Sequence, residues 1–259
     1  MTVNVGNTQT KLGVFEGEEI RARWRMTTEA HRTADELGAS IASFMELRGM
    51  SLSDVKALII ASDVPDLSRA YRDLGEGTLG VSFYSVTPDI ETGLTNLYDD
   101  PNAVGSDRIV NSVAAKELYG SPAIIVDFGT ATTVCAVDGD GAYRGGAIMP
   151  GVYVSLDALV AHAAKLSSVD LEEKETCAIA TNTPDSIRSG FIYGYAGAVD
   201  ALIRRFKEEL AESASGSPRV IATGGPASAI VRHCREIEKL DADLTLKGLR
   251  VLYAMNAEG

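Results

Sequence analysis

A short pattern that occurs twice constrains the fold of this chain more than any other feature. The first copy runs from Val3 to Phe15 and the second from Ile125 to Val137. In each copy an apolar run reaches a polar residue, passes through a glycine and a Thr/Asn cluster, and continues as a second apolar run, which predicts a strand, a tight turn and a returning strand. The polar residues stand at positions 4 and 127, and this spacing of about half the 259-residue chain predicts an internal duplication.

The turns of both predicted hairpins have the composition of a phosphate cradle. Gly6 and Gly129 let the backbone approach an anion closely and aim successive N–H groups at it. A carboxylate at the end of the first strand can hold a cation; the second copy has one, Asp127, whereas the first has Asn4. Either turn alone fits an ordinary hairpin equally well. The two together predict a nucleotide whose phosphates lie in a cleft between two related domains.

Helices and strands alternate after each hairpin, and this alternation predicts an α/β fold. Hydrophobic periodicity predicts helices at 33–48, 66–74, 109–118, 152–163, 183–210 and 227–233, and further strands at 55–61, 81–86, 143–148 and 220–223. A helix that ends at Tyr119 to Pro122 precedes the second hairpin. We therefore expect an N-terminal domain at 1–115 and a C-terminal domain at 116–259.

Three glycines of the long predicted helix, Gly190, Gly194 and Gly197, share one helix face because they are four and three residues apart. This stripe predicts tight packing of another helix, with close approach of a ligand as the alternative.

The charge balance excludes some partners. The chain has 24 Lys and Arg against 36 Asp and Glu, a net charge of -12, which disfavours nucleic acid and anionic membrane surfaces. No apolar run approaches the roughly 18 residues that a membrane span needs. The sequence starts directly with a predicted strand, so we expect a cytoplasmic protein that meets anionic substrates with local positive groups.

The loop from Tyr98 to Asn111 is a third candidate for chemistry. Asp107 and Arg108 stand where the predicted helix begins. A helix N-terminus favours anions, Arg108 offers a planar donor fork to a carboxylate, and Asp107 can accept a proton from a hydroxyl. The alternative, equally supported by these residues, is that Asp107 caps the helix and Arg108 is a solvated or salt-bridged side chain.

Two further segments are weaker candidates. The run Ile221 to Pro226 contains a strand followed by Thr-Gly-Gly, which places backbone amides at a helix start. The run Thr181 to Ser186 supplies Thr and Asn side chains before Pro184, and these can cap the long helix or bind a ligand.

Taken together, these motifs resemble the type III pantothenate kinase family, within the acetate and sugar kinase, heat-shock ATPase and actin superfamily. The resemblance covers nearly the whole chain, and its specificity comes from the order and spacing of the motifs. The matching segments are Val5–Thr8, Asn102–Asn111, Asp127–Thr133, Gly145–Gly151, Asn182–Thr183, Thr223–Gly225 and Asp243–Leu249.

The resemblance implies two duplicated ribonuclease-H-like (actin-like ATPase) domains around a central cleft, assembled as a homodimer. It also implies ATP-dependent phosphorylation of pantothenate to 4'-phosphopantothenate, the first step of coenzyme A biosynthesis, with Mg²⁺ and a monovalent cation (K⁺ or NH₄⁺). The residue matching Asp107 is the family's proton acceptor, and that matching Asp127 binds the monovalent cation. The pantothenate-binding positions match Tyr98, Gly105, Ser106, Asp107, Arg108 and Thr183. The ATP-binding positions match Asn4, Val5, Gly6, Asn7, Thr8, Gln9, Thr10, Lys11 and Thr130.

One departure bears on catalysis. The family normally carries Asp where this chain has Asn4, and that carboxylate is associated with Mg²⁺ and the transferring phosphate. Loss of one such electrostatic group costs about 10²- to 10³-fold in rate. Three functions therefore stay open: an active kinase slowed by Asn4, a catalytically impaired paralogue that binds nucleotide or pantothenate as a regulatory or accessory protein, and a kinase or phosphohydrolase for another small molecule. Smaller departures are Asp63 and the pair Ala180–Thr181.

Overall fold

The computed structural model describes residues 1–163, 166–172, 177–211 and 216–257. The chain divides into two compact units. The first contains Met1–Gly93, Asp99–Ala114 and the segment that begins at Leu244, and the second contains Leu94–Tyr98 and Ala115–Asp243. Each helix in the described part of the chain is either too short or too polar to cross a lipid bilayer.

The strands are β1 (Thr2–Val5), β2 (Gln9–Glu16), β3 (Glu19–Thr27), β4 (Ala57–Ser62), β5 (Ser82–Ser85), β6 (Ala123–Phe128), β7 (Ala131–Val137), β8 (Tyr143–Pro150), β9 (Arg219–Gly224) and β10 (Lys239–Leu240). The α-helices are α1 (Ala34–Glu46), α2 (Pro65–Arg72), α3 (Ser106–Tyr119), α4 (Val152–His162), α5 (Thr183–Ala211), α6 (Ala227–Val231) and α7 (Leu244–Ala257). A π-helical turn, Asp73–Leu79, follows α2.

The two sheets have the same topology. The first sheet has the strand order β3-β2-β1-β4-β5 and the second, read in the same direction, β8-β7-β6-β9-β10. In each, the first three strands form an antiparallel meander, and the last two run parallel to the meander's first strand. This is the ribonuclease-H-like arrangement. The predicted α/β class, the two hairpins and their duplication are confirmed.

The burial of β4 and β6 shows that both sheets are covered on their two faces. Residues 57–61 of β4 and 123–126 of β6 are uninterrupted apolar runs, and all of them are buried. Continuous burial of this kind is typical of a strand with packed layers on both faces of its sheet. β1 and β6 are the middle strands of the two orders, so their ends lie at the centre of their sheets.

The C-terminal helix packs with the first unit, and this corrects the predicted domain 116–259. The boundary between the two units falls inside α3, between residues 114 and 115, next to the predicted boundary. However, α7 packs against β1, β2 and β4 of the first unit. Gly248 lets α7 also approach α3 closely, because a Cβ there would lie 2.4 Å from the Val110 carbonyl oxygen and 3.0 Å from the Ala114 Cβ. The sequence shows the glycine but not its partner helix.

We expect Gly248→Ala to lower the free energy of unfolding by about 1–3 kcal/mol, because the new methyl group overlaps backbone that cannot move freely. Chemical denaturation of the purified variant measures this. Gly197→Ala is the matched control, since a Cβ at that helical glycine meets no atom within 4 Å. The control should be neutral or slightly stabilising; equal stability of the two variants would contradict the packing described here.

Candidate functional site

The turn of the first hairpin is closed by backbone and side-chain hydrogen bonds. The Gly6 N–H donates to the Gln9 carbonyl at 3.1 Å, and the Thr28 N–H donates to the Thr8 carbonyl at 3.0 Å. Thr28 Oγ1 also donates to the Gly6 carbonyl at 2.7 Å. Thr28, which directly follows β3, therefore fixes the turn from the side. Sequence reasoning missed this residue.

The predicted nucleotide-binding residues of this hairpin fall into two groups. Asn7, Thr8 and Gln9 are exposed at the tip. Thr10 is buried, and its Oγ1 lies 2.9 Å from Thr28 Oγ1, so its side chain supports the turn from within. The tip can meet a ligand, whereas Thr10 shapes the loop.

Asn4 lies at the end of β1 directly opposite Lys11 of β2. Cross-strand partners have side chains on the same face of a sheet, and both residues are half-buried. Lys11 therefore places a cation beside the neutral Asn4 amide. This face combines a positive charge suited to phosphate with an oxygen that is only a weak ligand for Mg²⁺.

The start of α3 lies at the same edge of the first sheet. β1 and β4 are parallel, with Val5 opposite Ser62, so Asp63 follows β4 at the edge where the Gly6 turn follows β1. Ser106 Oγ donates to Asp63 Oδ1 at 3.3 Å. Asp63, which the sequence marked only as a departure from the family, thus fastens the first residue of α3 to this edge.

Asp107 is held in the first turn of α3. Its Oδ1 accepts the Arg108 N–H at 2.7 Å, and a Cβ at Gly105 would lie 2.9 Å from the same oxygen. Asp107 is half-buried, and Arg108 is buried with 6% of its surface exposed. A carboxylate fixed at a helix N-terminus can accept a proton from a bound hydroxyl, and a guanidinium beside it can bind a carboxylate.

In the second unit, Asp127 lies near the end of β6 between Thr133 of β7 and Thr223 of β9. The three side chains share one face of the sheet because they are direct partners across the strands. Thr223 is fully buried, and its Oγ1 has no hydrogen-bond partner among the described residues. A carboxylate and an unsatisfied hydroxyl supply oxygen ligands to a hard cation.

The described residues contain no group of three or more His, Cys, Asp or Glu side chains that could hold a metal ion.

The turn of the second hairpin is packed tightly by two other loops. The Gly129 N–H donates to the Ala131 carbonyl at 3.0 Å, as Gly6 does in the first hairpin. A Cβ at Gly224 would lie 2.3 Å from the Phe128 carbonyl oxygen, and one at Gly151 would lie 2.3 Å from that of Thr130. Only glycine fits at these two positions, and Thr130 is exposed beside them.

Tyr98 lies against β8 in the second unit. The preceding residue, Leu97, donates its N–H to the Tyr143 carbonyl at 2.9 Å. The ring of Tyr98 lies 6.3 Å from that of Tyr143, centroid to centroid. A Cβ at Gly145 would lie 3.3 Å from the Tyr98 ring. The backbone and the ring are thus fixed together.

Thr183, the first residue of α5, lines an apolar cavity of about 580 Å³. Its walls come from the end of β8, α4, the segment 166–172 and α5. The lining residues include Met149, Leu159, Leu166, Ile187, Phe191 and Tyr195. Tyr98 is not among the residues that line this cavity.

The glycine stripe of α5 is exposed. A Cβ at Gly190, Gly194 or Gly197 would meet no atom within 4 Å, so the predicted tight packing of another helix is wrong for the described part of this chain. The buried face of α5 is the opposite one, which contains Ile192, Val199 and Ile203. Gly190 and Gly194 instead line the cavity beside Thr183.

Comparison with known proteins gives a consistent result. The model of the type III pantothenate kinase family matches residues 1–205. A protein of Rubrobacter xylanophilus named type III pantothenate kinase is 65% identical over 258 residues, which cover 99% of this chain and 98% of that protein.

Solved structures share the fold at low sequence identity. A Campylobacter jejuni protein described as a conserved Baf family transcriptional activator has a TM-score of 0.62 and 14% identity, covering 100% of this chain and 99% of that one. The ethanolamine utilization protein EutJ of Carboxydothermus hydrogenoformans has a TM-score of 0.54 and 13% identity, covering 97% and 88% of the two chains. These two likenesses concern the fold alone.

Proposed function

The chain belongs to the type III pantothenate kinase family, and from this premise we propose that Asp107, Arg108 and the two hairpin turns carry its reaction. The family predicted from the sequence motifs is confirmed. The activity is the ATP-dependent phosphorylation of pantothenate to 4'-phosphopantothenate in coenzyme A biosynthesis. The roles of the site residues, the cations and the assembly are our proposals.

Asp107 is the proposed general base. The pantothenate hydroxyl oxygen forms a bond to the γ-phosphorus of ATP, while the bond from that phosphorus to the bridging oxygen breaks and ADP leaves. The hydroxyl proton passes to the Asp107 carboxylate. The observation that carries this role is the position of that carboxylate, held 2.7 Å from the Arg108 N–H in the first turn of α3.

Arg108 and Thr183 are proposed to orient pantothenate together with Tyr98, Gly105 and Ser106. A guanidinium binds a carboxylate through two parallel hydrogen bonds, which fixes both position and angle. Burial of Arg108 restricts its rotation and strengthens its electrostatic attraction for the pantothenate carboxylate. Of these five residues, Arg108 is charged and the other four are neutral.

The hairpin turns are proposed to hold ATP. The exposed tip residues Asn7 to Gln9, the Lys11 ammonium and Thr130 supply donors and positive charge for the phosphates. Mg²⁺ would be carried mainly by the phosphates themselves, with the Asn4 oxygen as its contact in β1. A monovalent cation would be held by Asp127 with help from the Thr223 hydroxyl. These ions supply positive charge that offsets the charge of the transferring phosphoryl group.

An assay of ADP release with pantothenate, ATP, Mg²⁺ and K⁺ tests the proposed function. We expect turnover that requires pantothenate and that falls when K⁺ is replaced by a cation that Asp127 cannot hold well, such as Li⁺. Absence of pantothenate-dependent ADP release at high protein concentration would overturn the proposal. We place the reaction in the cytoplasm, in keeping with a metabolic kinase that uses ATP.

We further propose that the protein forms a homodimer through the open face of α5. Gly190 and Gly194 leave space for a second backbone to approach, and β8, α4 and α5 itself carry exposed apolar side chains. These side chains are Ile148, Tyr153, Val154, Leu159 and Tyr193. A patch of this kind on a protein surface marks an interaction site.

We expect Gly194→Glu to convert the dimer to a monomer, because it places a bulky charge in the centre of an apolar interface. Analytical ultracentrifugation of both proteins measures the change. Ala39→Glu, at an exposed position of α1, is the matched control and should leave the oligomeric state unchanged. A wild-type protein that sediments as a monomer, or a variant that stays dimeric, would contradict this interface.

A further inference from the structure

Arg188, in the second turn of α5, joins two walls of the apolar cavity. Its Nη1 donates to Asp185 Oδ1 at 2.8 Å, and its Nε donates to the Asp170 carbonyl at 2.8 Å. The side chain of Arg188 is only 7% exposed and that of Asp185 is 18% exposed. One buried guanidinium therefore connects the start of α5 with the segment 166–172.

The Asp185 end of this connection fixes the residue before Thr183. Asp185 Oδ2 accepts from Asn182 Nδ2 at 2.7 Å, and Asn182 Oδ1 accepts the Asp185 N–H at 3.0 Å. Asn182 thus caps α5 while its own amide is held by the carboxylate that Arg188 binds. Because Thr183 follows Asn182 directly, the position of Thr183 depends on this chain of hydrogen bonds.

At its other end the Arg188 side chain binds the Asp170 carbonyl, in the segment 166–172 that forms the opposite wall of the cavity through Leu166. Val169 and Leu171 are buried in the core of the second unit, and Ser228 Oγ donates to Glu172 Oε1 at 2.7 Å. These contacts hold the segment to the sheet and to α6. The hydrogen bond from Arg188 to the Asp170 carbonyl links this segment to the turn of α5 that follows Thr183. Arg188 therefore sets the distance between these two walls of the cavity.

We propose that Arg188 is a positioning residue that sets the affinity for pantothenate by holding Thr183 and Leu166 in register across the cavity. The inference rests on the proposed function, in which Thr183 contacts pantothenate. Arg188 acts through Asp185, Asn182 and the Asp170 carbonyl. Arginine suits this role because its planar fork donates in two fixed directions at once, whereas the lysine ammonium is a single point of donation.

Asp107, the proposed general base, lies in the first unit, whereas Arg188 and its partners lie in the second. A change at Arg188 should therefore alter the binding of pantothenate and leave the phosphoryl transfer step and the binding of ATP nearly as they are. This division of effects is a signature that a merely structural residue would not give.

The test is steady-state kinetics of Arg188→Lys and Asp185→Asn beside the wild-type protein. Lysine keeps the charge but cannot reach both partners, and asparagine cannot accept from both Asn182 and Arg188. We expect the KM for pantothenate to rise about 10-fold in each variant, with kcat and the KM for ATP within about 3-fold of wild type. Melting curves with and without pantothenate should show a smaller ligand-induced shift in both variants.

Arg205→Lys is the matched control. Arg205 forms the same kind of i,i+3 ion pair with Glu208 on the same helix, but both side chains are exposed, so its kinetics should equal those of wild type. An unchanged KM for pantothenate in the folded variants, a kcat that falls alone, or failure of both variants to fold would each overturn the inference. Absence of activity in the wild-type protein would instead show that the proposed function is wrong.

Discussion

We expect Asp107→Asn to lower kcat by about 10²- to 10⁴-fold, which is the usual contribution of a general base. Asparagine has nearly the same shape, and its Oδ1 can still accept the Arg108 N–H that Asp107 Oδ1 accepts at 2.7 Å. The turn at the start of α3 should therefore persist. What the variant lacks is a group that can take the proton of the attacking hydroxyl.

The pH profile gives a second measurement on the same variant. If Asp107 is the base, kcat/KM of the wild-type protein falls on the acid side as the carboxylate is protonated, and Asp107→Asn loses this acid limb. Asp100→Asn is the matched control, because Asp100 lies in the same loop and accepts the Asn102 N–H at 3.1 Å, a bond that asparagine can also accept. A kcat for Asp107→Asn within tenfold of wild type would exclude the proposed role.

The sequence predicts the parts of this fold in which local pattern and packing agree. Each hairpin joins two apolar runs through a glycine turn, and β1 with β2 and β6 with β7 form as expected. The strand β3 was missed because Glu19 and four of the eight residues after it are charged or polar. Its apolar residues Ile20, Ala22, Trp24 and Met26 alternate strictly, and this period of two is the signal that could have located it.

The candidate site likewise contains parts that the sequence predicts and parts that it does not. Asp107 and Arg108 could be placed at a helix start from their neighbours alone, because a helix N-terminus is a local property. The fixing of the Gly6 turn by Thr28 depends on β3, and the bond from Arg188 to Asp170 joins residues 18 positions apart. Contacts of this kind depend on how distant segments pack and on side-chain rotamers, which one sequence does not specify. The exposed stripe at Gly190 is the converse case, since its spacing is equally compatible with a partner inside or outside the chain.

Asn4 is the expected departure from the family pattern that bears on catalysis, and the structure shows its partner across the strand pair. The Asn4 side chain lies at the end of β1 on the same face as Lys11. With a neutral amide at position 4, the Lys11 cation has no opposite charge across this strand pair. Lys11 therefore still attracts the ATP phosphates, whereas the Asn4 oxygen is uncharged and is only a weak ligand for Mg²⁺.

This arrangement predicts how the missing carboxylate acts. Lys11 attracts ATP in the ground state and the transition state alike, and such uniform binding lowers KM without raising kcat. A carboxylate that orients Mg²⁺ on the transferring phosphoryl group contributes in the transition state. We therefore expect the effect of Asn4 on the reaction to appear in kcat and not in the KM for ATP.

Asn4→Asp should raise kcat by about 10²- to 10³-fold, the magnitude associated with a single electrostatic group at a reacting centre. It should also lower the Mg²⁺ concentration that gives half-maximal activity, because a carboxylate is the stronger ligand. Stability should not suffer, since the new charge lies opposite Lys11. Steady-state kinetics at several Mg²⁺ concentrations measure both effects.

Asn7→Asp is the matched control for charge, because it adds the same carboxylate to the exposed tip of the same turn. There the new charge repels the phosphates, so this variant should lose activity, and a gain in both variants would indicate a general charge effect. No gain in Asn4→Asp would show that this chain has replaced the carboxylate by other means. An inactive wild-type protein that becomes a pantothenate kinase on this one substitution would instead identify it as an impaired paralogue whose remaining function is binding.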